Sequence, residues 1–263
     1  MKGIILAAGS GSRLRPLTLA VNKSLLPVYD KPLIYYPLAV LRRAGISDIL
    51  IIVNPGKQPQ FAALFGDGSA AGCHINYIEQ AYPAGLADAF RLGADFIGKD
   101  SVCLILGDNI FDDSDADFCR MLLQAADTCQ GATIFGYPVT DPRPYGVIEL
   151  DKAGQVLSVE EKPATPKSSL IVPGLYFYDN SVVEMAKQLQ PSARNELEIT
   201  DINNIYLQQG RLNALPLPQQ FFWRDIGNPD ALADATQEIR MFRKQYGREL
   251  GKIDTAYPEI IEK

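Results

Sequence analysis

Short, continuous runs of apolar residues recur along the chain, separated by segments in which apolar positions follow a helical pattern. Apolar runs without alternating polar residues are typical of strands buried on both faces, as in a largely parallel sheet covered by helices. The predicted strands are GIIL (3–6), DILIIV (48–53), SVCLILG (101–107), GATIFGY (131–137) and VPGLYFYD (172–179), and the predicted helices are IYYPLAVLRRAG (34–45), AGLADAFRLGADFIG (84–98) and DADFCRMLLQAAD (115–127).

The pattern changes after about residue 140, where YGVIELDKAGQVLSVEEKP (145–163) predicts two strands joined by a turn at residues 152–154. The alternation of strands and helices predicts a Rossmann-like α/β fold, in which a mostly parallel mixed sheet is flanked by helices and carries a β-rich insertion. No repeat or low-complexity linker interrupts the chain, so we expect a single domain over residues 1–263. The remaining predicted elements are helices at about 180–190, 199–209 and 229–244 and a strand at RLNALPLP (211–218).

Composition excludes several classes of protein. Of the 263 residues, 47% are hydrophobic and 21% are charged, which is ordinary for a soluble protein, and no apolar run is long enough for a secretory leader or a membrane span. The net charge of −6 does not favour a nucleic-acid-binding surface. Four cysteines without a C-x-x-C pair predict reduced thiols in a cytoplasmic protein. We expect the only histidine, His74, to be structural.

A glycine-containing loop, LAAGSGSRLRPLT (6–18), follows the first predicted strand. Backbone N–H groups in such a loop can bind phosphate, and Arg13 can add a bidentate contact. The P-loop pattern fails because no lysine precedes Ser12, and the dinucleotide fingerprint fails because Leu14 stands at the third glycine position. The loop is therefore either another type of phosphate-binding loop or a surface turn with solvated arginines.

Three further charged residues adjoin apolar segments. Lys23 precedes LLPV (25–28), where it either offers a point charge to phosphate or lies on the surface. Asp108 directly follows a predicted buried strand, and ligands of open α/β sheets bind beyond the carboxyl ends of strands. A carboxylate there either holds Mg²⁺, which prefers one or two carboxylates together with substrate phosphates, or caps a turn. Asp225 is a second acidic candidate that only the fold could bring close to Asp108.

Together these segments resemble the sugar-1-phosphate nucleotidylyltransferases over roughly residues 1–240, in the order and spacing of that family. The resemblance implies the fold given above. It also implies a Mg²⁺-dependent reaction in which glucose 1-phosphate attacks the α-phosphorus of dTTP, or of UTP, and pyrophosphate leaves. The segments that carry the resemblance are GIILAAGSGSRLRPLT (3–18), NKSLLPVYDKPLIYYPLAVL (22–41), LGDNIF (106–111), YGVIE (145–149), VEEKPATPKS (159–168), GLYFYDN (174–180), PSARNELEITDIN (191–203) and WRDIG (223–227).

The resemblance also implies a role for each matching residue, with Asp108 and Asp225 as the Mg²⁺ ligands. Residues 1–140 would mainly bind the nucleotide, residues 141–228 would mainly bind the sugar phosphate, and residues 229–263 would form a short C-terminal helical segment. The implied catalytic residues are Arg13, Lys23, Asp108, Lys162 and Asp225; the nucleotide-binding residues are Leu6, Gly9, Ser10, Gly11, Ser12, Arg13, Gln80, Pro83, Gly85 and Asp108; and the sugar-phosphate-binding residues are Lys23, Asn109, Tyr145, Gly146, Glu161, Lys162, Val172 and Arg194.

The segment IEQAYPAGLADAF (78–90) is the predicted reader of the base. Gln80 offers a donor and an acceptor that match the imide edge of thymine or uracil, and Gly85 would let the backbone approach the base. The two bases share that edge and differ by one methyl group, which a pocket discriminates by only about 1–3 kcal/mol. Ala84 stands where relatives commonly have aspartate, so the preference for dTTP over UTP stays open.

Several polar residues are expected to be structural rather than functional. Next to Arg194, the side chains of Ser192, Glu196, Glu198 and Thr200 would cap and charge the start of a helix. The acids after Asp108 would do the same in a loop and at a helix N-terminus; they are Asp112, Asp113, Asp115 and Asp117.

Two other classes of protein fit the sequence less well. A nucleotide-sugar oxidoreductase or epimerase would need a third glycine in the opening loop and usually a Tyr-x-x-x-Lys pair, which Tyr35 and Tyr36 do not provide. A non-catalytic sugar-nucleotide sensor on the same fold would lack a metal ligand or a phosphate-binding cation, whereas all of the implied catalytic residues are present. We expect a homo-oligomer, a dimer or a tetramer, without a nucleic-acid or membrane partner.

Overall fold

The computed structural model describes residues 1–253. Its helices are α1 (Tyr35–Arg43), α2 (Gln58–Phe65), α3 (Asp88–Leu92), α4 (Ala94–Ile97), α5 (Ala116–Asp127), α6 (Ser181–Gln188), α7 (Ile199–Gln208) and α8 (Pro229–Tyr246). Its strands are β1 (Lys2–Ala7), β2 (Pro27–Val28), β3 (Lys31–Pro32), β4 (Asp48–Val53), β5 (His74–Glu79), β6 (Val102–Leu106), β7 (Asn109–Phe111), β8 (Ala132–Pro138), β9 (Gly146–Leu150), β10 (Val156–Glu161), β11 (Leu170–Ile171), β12 (Leu175–Tyr178), β13 (Leu212–Pro216) and β14 (Trp223–Asp225).

The chain forms two compact units. The first comprises Met1–Pro83, Ile105–Ala126 and the described residues of Phe222–Lys263, and the second comprises Ala84–Leu104 and Asp127–Phe221.

The first unit contains a parallel sheet in which β4 lies between β1 and β5. Ala7 at the end of β1 pairs with Val53 at the end of β4, and Val53 pairs with Glu79 at the end of β5. The carboxyl ends of these strands therefore meet at one edge of the sheet, which is where open α/β sheets bind ligands. On the other side of β1, the amide of Gly107, just after β6, donates a hydrogen bond of 2.9 Å to the carbonyl of Leu6.

A compact hydrophobic cluster supports the antiparallel pair of β7 and β14 in the same unit. Ile110 of β7 and Ile226, just after β14, are completely buried in it, together with residues from α1 and α8. Packing against this hydrophobic cluster thus fixes the pair of β7 and β14, which carries Asn109 and Asp225. The buried members of the cluster are Val28, Leu33, Tyr36, Ile110, Ile226, Ala235, Ile239 and Leu250.

The second unit is a mixed sheet built around β8. Strands β11 and β12 pair with β8 antiparallel, and β13 pairs with it parallel. Strands β9 and β10 form the predicted hairpin, whose turn contains Gly154 at φ +82°. Helix α7 contacts β10, and a buried aromatic group of Phe90, Tyr178 and Tyr206 packs inside the unit. The expected α/β fold, with helices against a mostly parallel mixed sheet, is therefore confirmed.

Local predictions agree with the structure except in one segment. The strand predicted at 48–53 is β4, and the helices predicted at 34–45 and 115–127 are α1 and α5. The single helix predicted over 84–98 is wrong, because residues 84–87 are not helical and Gly93 separates α3 from α4. Gly85 has φ +102°, a conformation that an α-helix does not allow.

Two expectations concern the whole chain rather than single elements. The predicted C-terminal helix is α8, and residues 254–263 of the expected helical segment lie outside the described residues. No helix within residues 1–253 combines the length and the apolar character required to cross a membrane.

Candidate active site

The loop after β1 is anchored at two points and exposed in between. Gly11 has φ +58°, and its carbonyl accepts a 2.7 Å hydrogen bond from Thr18 Oγ1. A Cβ atom at Gly11 would lie 2.9 Å from Thr18 Cγ2, so glycine is required there both by conformation and by space. Leu14 is buried and holds the other end of the loop. Among the predicted nucleotide-binding residues, Leu6 is half-buried at the end of β1 and the exposed ones are Gly9, Ser10, Ser12 and Arg13.

Asn22, to which the sequence analysis gave no role, ties this loop to the residues that follow it. Its Nδ2 donates to the carbonyl of Ala7 at 2.8 Å and to Asn54 Oδ1 at 2.7 Å, and its Oδ1 accepts from the amide of Ser24 at 2.7 Å. Asn54 in turn donates to the carbonyl of Ala8 at 2.6 Å. Asn22 is buried, and it therefore fixes the end of β1 and the turn that presents Lys23 in one network. An asparagine beside a lysine gives no sequence signal for such a network.

Lys23 is buried and contacts the first acidic candidate directly. Its Nζ lies 2.5 Å from Asp108 Oδ2. The other carboxylate oxygen, Asp108 Oδ1, accepts a 2.8 Å hydrogen bond from Asn109 Nδ2. The Asp108 side chain is 28% exposed, so this ion pair lies at the surface of the unit rather than in its core. A buried lysine that meets a half-exposed aspartate is an arrangement suited to binding a charged ligand.

Strand pairing brings Asp225 next to Asp108. Asp225 of β14 is opposite Asn109 of β7, and the amide of Ile226 donates to the carbonyl of Asp108 at 3.0 Å. Trp223 Nε1 donates to Asn109 Oδ1 at 2.8 Å, which fixes the orientation of the amide that contacts Asp108. Two aspartates that are remote in the sequence therefore lie close together, Asp108 directly before β7 and Asp225 at the end of β14.

The donor set of these strands fits a hard divalent cation. Two carboxylates suit Mg²⁺, which usually completes its coordination with waters and substrate phosphates. Within residues 1–253, no group of three or more His, Cys, Asp or Glu side chains is arranged to hold a metal ion. A protein-only metal cage is thus not part of the described structure, and a cation on Asp108 and Asp225 would need oxygen ligands from a substrate or water.

Arg13 reaches the same place from the loop. A Cβ atom at Gly227 would lie 3.1 Å from Arg13 Nη2, so the guanidinium rests against the backbone just after Asp225. Glycine at position 227 leaves room for this approach. The structure therefore brings together four of the five predicted catalytic residues in the first unit: Arg13, Lys23, Asp108 and Asp225.

The predicted base-reading residues lie near residue 80 and in the following segment. Gln80 is buried directly after β5, and its backbone N–H donates a hydrogen bond of 2.9 Å to the carbonyl of Val53. Pro83 is exposed. Gly85 belongs to the second unit, where a Cβ atom would overlap the backbone of Leu197. Close packing against Leu197 is thus one physical reason for glycine at position 85.

The second unit contains six of the eight predicted sugar-phosphate residues, grouped around Glu161; Lys23 and Asn109 belong to the first unit. Glu161 Oε2 accepts a 2.6 Å hydrogen bond from Thr200 Oγ1, and Glu161 Oε1 accepts one of 3.1 Å from Arg194 Nη2. Gly146 lies beside this carboxylate, because a Cβ atom there would be 3.6 Å from Glu161 Oε2. The amide of Val172 donates to the carbonyl of Gly146 at 2.9 Å.

Lys162 has a backbone conformation that is unusual for its type. Its φ of +44° lies in the left-handed region, and its amide donates to the carbonyl of Tyr145 at 3.0 Å. Its side chain is exposed, with Nζ 3.5 Å from Glu161 Oε1. Non-glycine residues in this region cost of order 1–3 kcal/mol and are concentrated at functional sites. The strain therefore favours a functional role for the loop that carries Lys162.

Arg194 is surrounded by carboxylates. Its Nε and Nη2 donate to Glu198 Oε1 and Oε2 at 3.1 and 2.7 Å, and Glu196 Oε2 lies 3.6 Å from Nη2. The hydrogen bonds from Arg194 to Glu198 hold the pKa of Arg194 above its ordinary value. Glu198 and Thr200 were expected to serve the start of α7, but their side chains instead contact Arg194 and Glu161. The contact between Thr200 and Glu161, which are 39 residues apart, has no local sequence signal.

Comparison with known proteins identifies the family of the chain. The model of the family described as nucleotidyl transferase matches residues 2–241, and the chain belongs to that family. A glucose-1-phosphate thymidylyltransferase of Neisseria gonorrhoeae is 54% identical over 240 residues, which are 91% of this chain and 83% of that protein. One of Mycobacterium tuberculosis (strain H37Rv) is 50% identical over 247 residues, or 94% and 85% of the two chains.

Two solved structures share the fold of this chain. A Bacillus anthracis protein described as a glucose-1-phosphate thymidylyltransferase, solved with sucrose, superposes with a TM-score of 0.84 at 40% identity and covers 91% of this chain and 95% of its own. A UDP-glucose pyrophosphorylase solved with UDP-glucose gives a TM-score of 0.79 at 24% identity, covering 93% and 99%. At that identity the second match supports the fold alone.

Proposed function

We propose that the chain transfers a thymidylyl group from dTTP to glucose 1-phosphate, forming dTDP-glucose and pyrophosphate. The observation that carries this proposal is the contact of buried Lys23 with Asp108, beside Asp225, in a nucleotidyl transferase about half identical to glucose-1-phosphate thymidylyltransferases. Homologues of that name act on a sugar 1-phosphate, and this chain carries cations in both units that suit phosphates. We further propose that it acts in the cytoplasm as a homo-oligomer.

The reaction needs no general base from the protein. A phosphate monoester has its second pKa near ~6, so the attacking oxygen of glucose 1-phosphate is already largely ionised at neutral pH. His74, the only histidine, is exposed at the start of β5, at the opposite end of that strand from Gln80. The protein must instead align two polyanions and stabilise the charge that develops on the bridging and leaving oxygens.

Asp108 and Asp225 would hold Mg²⁺, which when bound neutralises charge on the phosphate oxygens. Lys23 offsets charge on the reacting phosphates, since its ammonium already lies beside Asp108. Arg13 can bind phosphate bidentately, and its exposed guanidinium is available to do so next to Gly227. The remaining proposed nucleotide contacts are the exposed loop amides after β1 and, for the base, Gln80, Pro83 and Gly85.

The second unit supplies the proposed contacts to the sugar phosphate. Lys162 and Arg194 offer cations for the phosphate, and Glu161 accepts hydrogen bonds from sugar hydroxyls. Gly146 leaves space beside the Glu161 carboxylate. Tyr145 and Val172 flank that space through the backbone contacts of Lys162 and Gly146. Asn109 completes the proposed set in the first unit.

The direct test is pyrophosphate release with Mg²⁺ and glucose 1-phosphate, with dTTP, UTP, CTP, ATP and GTP compared in parallel. We expect dTTP to be used best. A preference for UTP would keep the reaction class and assign the chain to a uridylyltransferase specificity, because the two bases share their hydrogen-bonding edge. No release with any nucleotide from folded protein would overturn the proposal.

Asp108→Asn and Asp225→Asn test the metal ligands. Each substitution keeps the shape of the side chain and removes the negative charge, so we expect normal folding and a fall in kcat of at least about 100-fold. Asp117→Asn is the matched control, because Asp117 is highly exposed on α5 and pairs only with Arg120 among the described residues. Substantial Mg²⁺-dependent turnover by either active-site variant would exclude that aspartate from the metal site.

A further inference from the structure

Glu198 stands at the N-terminus of α7 but does not cap the helix. Among the described residues, its carboxylate makes no hydrogen bond to a backbone amide of the first turn. Both of its oxygens instead face Arg194, at 3.1 Å from Nε and 2.7 Å from Nη2. Its side chain is only 10% exposed, whereas that of Arg194 is 38% exposed. The nearly buried carboxylate of Glu198 therefore uses both of its oxygens to bind the half-exposed Arg194.

Ser192 fixes the carboxylate from the other side. Ser192 Oγ donates to Glu198 Oε1 at 2.6 Å and accepts from the amide of Arg194 at 3.2 Å. The carboxylate thus has an anchor that does not depend on the arginine side chain. Fork-to-fork pairs of this kind are directional as well as strong, because two parallel N–H groups meet two oxygens.

The pair sets which edge of the guanidinium is presented. Nε and Nη2 are occupied by Glu198, and Nη2 also donates to Glu161 Oε1 at 3.1 Å. Within residues 1–253, Nη1 donates to no protein acceptor. Nη1 is therefore the end of Arg194 that can meet an incoming phosphate. Arginine side chains are long and rich in rotamers, so such a constraint lowers the entropy lost when a ligand binds.

We propose that Glu198, braced by Ser192, is a positioning residue that presents Arg194 to the phosphate of the sugar 1-phosphate. The inference rests on the proposed function, in which Arg194 binds that phosphate. Glu161 contacts the same nitrogen of Arg194 and holds Thr200 with its other oxygen. The hydrogen bond between Arg194 and Glu161 therefore holds the proposed phosphate-binding cation next to the carboxylate that is proposed to accept from the sugar hydroxyls.

Glu198→Gln tests this role, with Glu196→Gln as the matched control. The substituted side chain would keep the size of glutamate, but its amide nitrogen cannot accept from the guanidinium, so at least one of the two bonds is lost. Glu196 carries the same charge, lies in the same segment and approaches Arg194 only to 3.6 Å with a 40% exposed side chain. We expect Glu198→Gln to raise KM for glucose 1-phosphate about tenfold, with KM for dTTP changed less than about twofold, and Glu196→Gln to change neither.

The same measurements in the Arg194→Ala background decide whether Glu198 acts through the arginine. If it does, Glu198→Gln adds little to the effect of Arg194→Ala, because removing either partner breaks the same contact. Full additivity of the two effects would overturn the inference. An unchanged KM in Glu198→Gln, with a raised KM in Arg194→Ala, would also overturn it while leaving the proposed function intact.

Failure of the proposed function has a different signature. If Arg194→Ala itself leaves KM for glucose 1-phosphate unchanged, the assignment of Arg194 to the phosphate is wrong. Ser192→Ala provides a second route should Glu198→Gln fail to fold, because it removes only the brace. It is expected to raise KM for glucose 1-phosphate by a few fold with no change for dTTP, and an unchanged KM would count against the inference.

Discussion

Asn22 uses both hydrogens and the oxygen of its side-chain amide within the protein, and it does so between the loop after β1 and the turn of Lys23. We predict that Asn22→Asp lowers the free energy of unfolding by about 1–3 kcal/mol, because a carboxylate would face the carbonyl of Ala7 and Asn54 Oδ1 without a hydrogen to donate. We also expect kcat to fall about tenfold or more as Lys23 is displaced. Chemical denaturation and steady-state kinetics measure the two effects.

An exposed asparagine provides the control for that substitution. Asn76→Asp on β5 makes the same chemical change at the surface and is expected to alter neither stability nor kcat appreciably. If Asn22→Asp lost stability but kept its kcat, Asn22 would support the fold without positioning Lys23.

The sequence allows single functional residues to be proposed only where their type is informative. Arg13, Lys23 and Asp108 adjoin apolar runs and could be selected locally, but Asp225 was proposed as a metal ligand only through the resemblance. Asn22 was missed because its partners are set by tertiary contacts, among them a carbonyl at the end of β1. Glu198 was expected only to serve the start of a helix, although its partner Arg194 lies just four residues earlier in the same segment. Asparagine and glutamate occur too commonly in turns and at helix starts to indicate such roles.

At the scale of elements, long apolar runs were predicted well, whereas a helical pattern was misleading in one segment. The continuous apolar run of β4 is buried along its length, so the local pattern and the tertiary environment agree. The segment 84–98 has a helical pattern of apolar positions, but Leu197 donates its amide to the carbonyl of Ala84 and accepts from the amide of Ala87. These contacts hold the start of the segment out of the helix, and no local pattern reports them.

Asp113 links α1 to the chain segment after α8. Its Oδ1 accepts a 2.8 Å hydrogen bond from the amide of Gly251, and Arg43 Nε lies 3.8 Å from Oδ2. Lys31 secures the same segment through Glu249 Oε1 at 3.0 Å and the carbonyl of Leu250 at 3.1 Å. The side chain of Asp113 is completely buried, and its Oδ2 has no hydrogen-bond partner among the described residues. The expectation that Asp113 is an ordinary loop acid thus misses its contact with residue 251.

Burial raises the pKa of Asp113 from its ordinary value of 3.8 to about 7, although the Gly251 amide and Arg43 oppose the shift. The folded protein therefore binds this proton more tightly than the unfolded chain, and the free energy of unfolding falls as pH rises from about 4 to about 7. We predict that Asp113→Asn removes this slope. The stability of the variant relative to the parent should therefore rise across that range, by about 4 kcal/mol between pH 4 and pH 7.

Denaturant unfolding at several pH values from 4 to 8 measures the difference. Asp115→Asn is a useful comparison, because Asp115 caps α5 by accepting from the amide of Phe118 at 2.8 Å and has no comparable burial. A constant difference between Asp113→Asn and the parent at all pH values would show that Asp113 does not titrate in this range.

Over the whole molecule, a net charge of −6 coexists with a proposed pair of highly anionic substrates. Local cations must therefore overcome the charge of the chain. The structure distributes them: Arg13 and Lys23 lie in the first unit, and Lys162 and Arg194 lie in the second. This distribution suggests that the nucleotide depends mainly on the first unit and the sugar phosphate mainly on the second, so the two ligands should be separable by mutation.

Arg13→Ala and Lys162→Asn test that separation through the stability of the whole chain. Asparagine tolerates the left-handed backbone at position 162, where φ is +44°, so the variant should keep its fold. A ligand at 100 times its Kd stabilises the native state by about 2.7 kcal/mol, which raises Tm by roughly 5–10 °C in a chain of this size. We predict that Lys162→Asn keeps the rise produced by Mg²⁺ and dTTP and loses most of the rise produced by glucose 1-phosphate, and that Arg13→Ala does the reverse.

Thermal unfolding with each ligand alone gives the four comparisons, and the unliganded Tm of each variant corrects for any direct effect on stability. The selectivity of each loss is decisive rather than its size, because a general weakening of the fold would lower both ligand responses together. If Lys162→Asn instead lost the rise in Tm produced by Mg²⁺ and dTTP, Lys162 would bind the triphosphate of the nucleotide rather than the phosphate of the sugar.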